Sequence, residues 1–370
     1  MPSFEDLMAI PPCGLIIPAI INNRQGSILV TRPFWYHRRM TKTGLTTTLL
    51  IGVFASTLLC WGSPCLGQTE SGSQSKSAAQ NNSNQQAPKQ EATTGQESDA
   101  TPAKEYEFER FAGIEYKSGA DYQLKLDVYV PEGQGPYPAI LAVHGGSWRA
   151  GSKFHWLRHG RKMARAGYVV VAINYRHAPT HKFPAQIHDC KAAVRWMRIN
   201  ADEYKIDPEE IGAAGYSAGG HLVGLLGTTD ADDAMEGDVP EDERGISTRI
   251  KAVAAGGAPC EFSWIDEDSS ALAYWLGNSR RDDPEIYKAA SPTTYITEDD
   301  PPFHFFHGTS DWLVPESSPK LMHEKLQEQS IESTYKTYED FGHFGLFSHL
   351  EAFDPVIEFF NEHLERKHSP

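Results

Sequence analysis

The pentapeptide Gly215-Tyr216-Ser217-Ala218-Gly219 constrains the fold of this chain more than any other stretch. It lies between an apolar, strand-like segment at residues 210–216 and a helix-like segment at 218–226. Glycines two residues to either side of the serine remove Cβ atoms where a strand and a helix cross closely, so the serine occupies a strained turn. The G-x-S-x-G spacing therefore predicts a serine nucleophile on a strand–turn–helix unit.

Strand and helix patterns alternate along residues 104–370. An alternating polar–apolar strand is predicted at 122–131, and further strands at 137–143, 168–173, 210–216, 250–255, 302–307 and 333–338. Helices are predicted up to Ala166 and at 184–200, 218–226, 316–329 and 346–365. Apolar strands alternating with helices predict an α/β fold, with a mostly parallel central sheet and helices on both faces. The strand at 122–131 is expected to be antiparallel at one edge.

The first hundred residues differ from the rest. An apolar run at 49–61 follows Arg38, Arg39 and Lys42 and ends at Gly62. This pattern predicts a signal peptide within residues 1–67, with Met40 as an alternative start. Residues 68–103 contain no large apolar residue and are expected to form a disordered linker before a catalytic domain at 104–370. We expect a secreted or periplasmic protein, tethered to a membrane if the signal stays uncleaved.

Charge and cysteine content exclude several classes of protein. The net charge of −15 argues against nucleic-acid binding. Cleavage near residue 67 would leave only Cys190 and Cys260, which is no disulfide framework, so two buried thiols are favoured over one bridge. The sequence has no HExxH or CxxC spacing and no phosphate-binding glycine loop, so neither a metal nor a cofactor is expected. The oligomeric state is left open.

A second glycine-rich turn, His144-Gly145-Gly146-Ser147-Trp148, follows the apolar strand at 137–143. Loops of the HGGG type supply a backbone amide to the oxyanion hole of lipases and esterases. We therefore expect an oxyanion hole from the amides of Gly145, Gly146, Ser147 and Ala218, with the inward-pointing amide of the loop left open.

A serine nucleophile needs a base, and the base needs an acid that fixes its tautomer. Asp311 follows the strand at 302–307, and His343 lies in a glycine-flanked turn after the strand at 333–338. The order Ser217, Asp311, His343 is the chain order of hydrolases with this turn. Asp340 is the alternative acid. The histidines at 144 and 221 flank the site, where a structural hydrogen-bonding role is expected.

The segments GYSAGGHL, HGGSWRAGS, HGTSDWLVP and GHFG together resemble the α/β-hydrolase superfamily over about residues 106–365. The sequence is most similar to the secreted esterase and lipase group that includes acetylxylan and feruloyl esterases. The resemblance implies Ser217, Asp311 and His343 as the catalytic triad. Ser147 and Tyr216 stand where relatives of hormone-sensitive lipase carry a third glycine and an acidic residue, so that subfamily fits less well.

Aromatic residues near the predicted site suggest the substrate. Stacking surfaces suit sugars or aromatic acyl groups, and the expected substrate contacts are Trp148, Tyr216, Trp264, Trp312 and Phe344. We expect a serine carboxylesterase that acts on small-molecule or polysaccharide esters, removing acetyl or feruloyl groups or cleaving short-chain esters. The alternatives are a serine peptidase of the same fold and a catalytically inactive binding module.

Overall fold

The computed structural model of the protein describes residues 105–367. The strands in this part are β1 (Phe108–Ser118), β2 (Gln123–Pro131), β3 (Tyr137–Val143), β4 (Val169–Ile173), β5 (Ile206–Tyr216), β6 (Ala252–Gly256), β7 (Phe303–Gly308) and β8 (Ser333–Tyr338). The α-helices are α1 (Leu157–Arg165), α2 (Ala185–Ile199), α3 (Ala218–Thr228), α4 (Ala273–Leu276), α5 (Pro284–Ala289), α6 (Ser317–Glu328), α7 (His343–Ser348) and α8 (Asp354–His363). The predicted signal peptide and linker lie outside the described residues.

The described strands form a single sheet in the order β1-β2-β4-β3-β5-β6-β7-β8. Strand β2 pairs antiparallel with both β1 and β4, whereas every pair from β4 to β8 is parallel. The predicted α/β fold with a mostly parallel sheet is confirmed. The carboxyl ends of the parallel strands meet at one edge of the sheet, which is where ligand sites of such folds form.

Two apolar clusters cover the two faces of the sheet. In β3 and β4 every residue is buried, so successive side chains enter opposite clusters. Leu141 packs into the cluster that holds helices α2 and α3, while Ile140 packs into the cluster that holds α1 and α8. This double burial explains why these strands are continuously apolar in sequence.

The acidic segment at residues 228–249 neutralises two buried cations. Lys191 and Arg195 on α2 are almost fully buried. Glu236 accepts from Lys191 Nζ at 2.7 Å and pairs with Arg195 at 2.6 Å, and Glu243 pairs with Arg195 at 3.2 Å. Buried charges need such partners, so the negative charge of this loop serves the fold locally.

Three details differ from the sequence-based expectation. Strand β1 was not anticipated, and it displaces the antiparallel β2 from the edge position expected for it. The single closing helix predicted at 346–365 is instead broken. Helix α7 ends at Ser348, the next residue His349 has an extended ψ of 101°, and α8 begins at Asp354 with Pro355 in its first turn. Proline is tolerated in the first turn of a helix but not in its interior, so Pro355 prevents one continuous helix over this segment.

Cys190 and Cys260 are both buried and free in the structure. The expectation of two thiols rather than a bridge is confirmed. Burial raises the pKa of both thiols, so they behave as small apolar groups. Over residues 105–367, no helix combines the length and apolarity that a bilayer crossing requires.

Candidate active site

Ser217 stands at the turn between β5 and α3 with φ 58° and ψ −125°. A positive φ is strained for a residue with a side chain, and the flanking glycines show why it persists here. A Cβ on Gly219 would collide with the carbonyl oxygen of Val143, and one on Gly215 would collide with that of Gly219. The glycines of the G-x-S-x-G motif are therefore required because any side chain at these positions would clash where the strand, the turn and the helix pack together.

His343 and Asp311 form a buried pair. The Nδ1 atom of His343 lies 2.6 Å from Oδ2 of Asp311, and both side chains are at most 2% exposed. The other carboxylate oxygen accepts the amides of Leu313 and Val314, each at 2.9 Å. Burial raises the pKa of Asp311, but its interaction with His343 and the bond from the Val314 amide outweigh that effect, so the pKa lies below its usual value. The carboxylate is thus held ionised against His343.

Tyr216 holds the backbone that carries His343. Its hydroxyl donates to the His343 carbonyl oxygen at 2.7 Å, and its ring contacts the His343 ring at a centroid distance of 5.2 Å. Tyr216 was expected to contact substrate, but it is only 4% exposed and packs behind the site. Ser217 Oγ makes no hydrogen bond to the His343 ring within the described residues. Such bonds are often long in ligand-free enzymes and tighten with substrate.

The glycine-rich turn after β3 lies against the serine. A Cβ on Gly145 would come within 2.8 Å of the Tyr216 carbonyl oxygen and 3.1 Å of Ser217 Cβ. Gly146, Ser147 and Trp148 all have positive φ values, of 124°, 50° and 56°. Within residues 105–367, the amides of Ser147 and Trp148 donate to no acceptor. Since Ala218 begins α3, its amide also lacks an intrahelical acceptor.

Side chains from distant segments hold this turn in its left-handed conformation. Tyr274 donates to the Ser147 carbonyl oxygen at 2.8 Å, and the indole of Trp148 donates to His221 Nδ1 at 3.1 Å. The Ala178 amide binds the Trp148 carbonyl oxygen at 2.9 Å. Free amides on a fixed loop are what an oxyanion hole requires. An oxyanion hole formed by the amides of Gly145, Gly146, Ser147 and Ala218 stays a prediction, which the free amide of Ser147 supports.

A small apolar pocket of about 30 Å³ opens beside Ser217. Ser147, Ala218, Trp148 and Trp264 line it, as the sequence suggested for loop and substrate contacts. Trp312 and Phe344 do not line it and are 59% and 67% exposed. The Phe344 ring packs nearly perpendicular to the His343 ring, with 5.4 Å between the two ring centroids. A role for these two exposed rings in binding sugars stays a prediction.

Three residues outside the expected triad and substrate contacts also shape the site. Trp275 stacks on Trp148 at 3.7 Å with parallel rings, and Phe262 meets both indoles edge-on. His307 Nε2 lies 3.6 Å from Oδ2 of Asp311, the same carboxylate oxygen that His343 contacts. The aromatic content of residues 260–300 was visible in the sequence, but only folding shows which rings face Ser217.

The fold and the site together place the chain among the α/β-hydrolases with a serine at the strand-to-helix turn. The model of the BD-FAE family matches residues 126–326, which is more than half of the chain. The chain therefore belongs to the BD-FAE family, an α/β-hydrolase family that resembles hormone-sensitive lipase. Ser147 and Tyr216 differ from that lipase pattern without placing the chain outside the group.

Curated relatives include two proteins of Mycobacterium tuberculosis. Esterase LipC is 33% identical over 204 residues, which cover 53% of this chain and 49% of LipC. The probable carboxylic ester hydrolase LipM is 32% identical over 205 residues, covering 53% of this chain and 46% of LipM. The matched region thus spans about half the length of these relatives.

Solved structures with the same fold include two esterases. A truncated carbohydrate esterase from gut microbiota superposes with a TM-score of 0.62 at 27% identity, covering 70% of this chain and 97% of that chain. The esterase Est2 of Thermogutta terrifontis superposes with a TM-score of 0.57 at 27% identity, covering 70% and 90%. Each confirms the α/β-hydrolase architecture over the described domain.

Proposed function

We propose that this protein is a serine carboxylesterase that removes acetyl or feruloyl groups from carbohydrate, or cleaves short-chain esters, through an acyl-enzyme. The observation that carries the proposal is the arrangement around Ser217. A strained serine, a histidine bonded at 2.6 Å to a buried carboxylate and a loop with free amides converge at one edge of the sheet. Relatives named as esterases, and a neighbour named as a carbohydrate esterase, support it.

The proposed reaction gives each step to one of these groups. Ser217 Oγ attacks the ester carbonyl carbon while the His343 ring accepts its proton, and Asp311 stabilises the imidazolium that forms. The negative charge on the carbonyl oxygen is received by the free amides of Ser147 and Ala218. The histidine then protonates the departing alcohol. A water molecule, deprotonated by the same ring, attacks the acyl-enzyme and releases the acid and Ser217.

Replacing the nucleophile tests the proposal. The Ser217→Ala variant is compared with wild type on p-nitrophenyl acetate, longer-chain esters, acetylated xylan, methyl ferulate and aminoacyl anilides. We expect ester turnover by wild type and a loss of about 10⁴-fold or more in kcat with alanine. Ser247→Ala is a matched control, because Ser247 is exposed and lies in the acidic loop, outside the site.

The outcomes separate the alternatives. A folded wild-type protein that turns over none of the esters would contradict the esterase proposal and favour an inactive binding module. Cleavage of anilides without a preference for esters would favour a serine peptidase. Full activity of Ser217→Ala would show that another residue is the nucleophile.

We also propose that the N-terminal 67 residues direct export, so that the enzyme meets extracellular or periplasmic substrates. The support is the basic, apolar and small-residue order of that segment. Cell fractionation with N-terminal sequencing of the mature protein tests this proposal. Recovery of uncleaved protein in the cytosol would contradict it.

A further inference from the structure

Another buried histidine lies beside the candidate triad. His307 is the last residue but one of β7, and Asp311 follows four positions later, in the turn after that strand. Nε2 of His307 lies 3.6 Å from Oδ2 of Asp311, and the two side chains are 1% and 0% exposed. The proposed reaction uses Asp311 and His343 but gives this third group no step.

The surroundings of His307 fix its tautomer. Its Nε2 atom lies 3.1 Å from the carbonyl oxygen of Val314, which can only accept, so Nε2 carries the proton. Nδ1 is buried and has no hydrogen-bonding partner within residues 105–367. A proton on Nδ1 would be a buried donor without an acceptor, and burial lowers the pKa of this ring. His307 is thus a neutral ring that donates from Nε2.

The backbone of Val314 connects His307 to the candidate acid. Its carbonyl oxygen accepts from His307, and its amide donates to Oδ1 of Asp311 at 2.9 Å. Oδ1 also accepts the Leu313 amide at 2.9 Å. The bond from strand β7 therefore holds the turn whose amides hold one carboxylate oxygen. The other oxygen, Oδ2, is left for His343 at 2.6 Å.

A neutral His307 leaves the charge of the carboxylate to His343. The separation of 3.6 Å between His307 and Oδ2 is too long for a hydrogen bond, and the ring carries no charge with which to form an ion pair. The titratable groups that act on His307 are Asp311, Glu316 and His343. His307 therefore acts on the carboxylate through the backbone that it holds.

Resting on the proposed esterase function, we infer that His307 is a positioning residue of the candidate triad. Its N–H group fixes the Val314 carbonyl oxygen, and the Val314 amide keeps the Asp311 carboxylate in place. The carboxylate then presents Oδ2 to the His343 ring. Without the His307 donor, the turn at residues 311–314 would be free to shift, and Asp311 would stabilise the imidazolium less well.

Two amide side chains of different length test the inference. In His307→Gln, the amide NH₂ reaches the position of Nε2 and can donate to Val314, whereas the shorter side chain of His307→Asn cannot. We expect His307→Asn to lower kcat on p-nitrophenyl acetate about 10–100-fold, because the carboxylate is no longer held in place. His307→Gln should keep kcat within about 5-fold of wild type. Steady-state kinetics and thermal unfolding measure both variants.

His304→Asn is the matched control, because His304 is a buried histidine of the same strand. Its ring stacks with those of Phe306 and Phe359, in the cluster on the opposite face of the sheet. The control should lower the Tm but leave kcat within about 2-fold of wild type. If His307→Asn does not fold, His307→Leu removes the same donor and keeps an apolar side chain in its place.

A double-mutant cycle shows whether His307 acts through Asp311. In the Asp311→Asn background, His307→Asn should lower kcat by less than about 2-fold further, because the carboxylate that it positions is already gone. A further loss as large as the loss in wild type would overturn the inference.

The remaining outcomes separate this inference from the proposed function. Equal losses of kcat in His307→Asn and His307→Gln would overturn the inference alone, and so would an equal loss in His304→Asn. Wild type that cleaves no ester at all would overturn the proposed function and, with it, the role of His307.

Discussion

The two buried histidines His343 and His221 have surroundings that differ in one decisive respect. His343 is 2% exposed and bonds through Nδ1 to the Asp311 carboxylate at 2.6 Å. His221 is fully buried, donates from Nε2 to the Ala290 carbonyl oxygen at 2.7 Å, and accepts the Trp148 indole on Nδ1 at 3.1 Å. One ring has an anionic partner, whereas the other has only neutral ones.

The charge of the partner decides what each ring can do. A carboxylate stabilises an imidazolium, so His343 can hold the proton of Ser217 during the reaction. At His221, burial lowers the pKa to about 4, and the indole donor requires a lone pair on Nδ1. His221 therefore stays neutral near pH 7 and acts as a fixed link. It joins α3, which begins next to Ser217, to the loop that carries Ser147 and Trp148.

Between the two histidines, the largest effect is expected where the carboxylate partner of His343 is removed. Asp311→Asn keeps the shape but replaces the anion, so the His343 ring loses both its preferred tautomer and its countercharge. We expect kcat on acetate esters to fall by about 10³–10⁴-fold. Steady-state kinetics with thermal unfolding checks the result, because the variant should remain folded.

Asp340→Asn is the control for this prediction, since Asp340 is the nearest alternative acid and is exposed. It should change kcat by less than about 2-fold, as exposed substitutions away from a site usually do little. If Asp311→Asn and Asp340→Asn lost similar amounts of kcat, Asp311 would not be the anion on which His343 depends. The contrast between His343 and His221 would then have no basis.

Much of this comparison was readable from the sequence. The order of serine, acid and histidine follows from the turns at the ends of β5, β7 and β8, because local glycine spacing and apolar runs mark those turns. Strands β3 and β8 have the predicted bounds. Strand β1 was missed because its residues are mostly half-exposed and two register shifts interrupt its pairing with β2.

The positions of Tyr216 and His221 depend on tertiary packing, which no local sequence pattern predicts. Tyr216 looked like a residue of the aromatic rim, yet it packs under His343 because alternate residues of β5 face opposite sides of the sheet. The partner of His221 is Trp148, 73 positions away in sequence. Nothing in either local segment predicts that bond, so a structural role for His221 was expected without a mechanism.

An intermediate effect is expected when the neutral link is broken. In His221→Asn, the amide oxygen can occupy the position of the histidine Nδ1 and still accept the bond from Trp148. In His221→Gln, the longer side chain places its amide NH₂ at the position of Nε2, so only the bond to Ala290 is kept. Without the Trp148 bond, the loop that carries the Ser147 amide is expected to shift. Since an oxyanion-hole amide stabilises the transition state and not the bound substrate, we expect His221→Gln to lower kcat about 10–100-fold with little change in KM. His221→Asn should stay within about 5-fold of wild type.

Trp148→Phe separates positioning from general loss of structure, since it removes the indole donor and keeps an aromatic ring. Its effect on kcat should not add to that of His221→Gln, because both variants remove the same bond. Additive effects of Trp148→Phe and His221→Gln on kcat would contradict this prediction, and so would equal losses of kcat in His221→Asn and His221→Gln. Either result would show that His221 contributes to core packing and does not position the loop.

The smallest effect is expected in the pH dependence of stability. The pKa of His221 is lowered from 6.5 to about 4, so between these values the unfolded chain binds a proton that the folded chain does not. Its contribution is fully present above about pH 6.5 and is lost as the pH falls toward 4. The free energy of unfolding should therefore drop by at most about 1.4 kcal/mol per pH unit from this one ring.

Urea unfolding of wild type and His221→Asn between about pH 7 and about pH 4.5 measures this slope. The variant should keep part of the pH dependence of unfolding, because burial also lowers the pKa of other histidines. These include His144, His159, His188 and His304. His349→Asn is the control, because that side chain is 41% exposed. A variant as pH-sensitive as wild type would mean that His221 takes up its proton in the folded protein over the same acidic pH range as in the unfolded chain. Because the Trp148 donor cannot bond a protonated Nδ1, that result would remove the link on which the contrast with His343 depends.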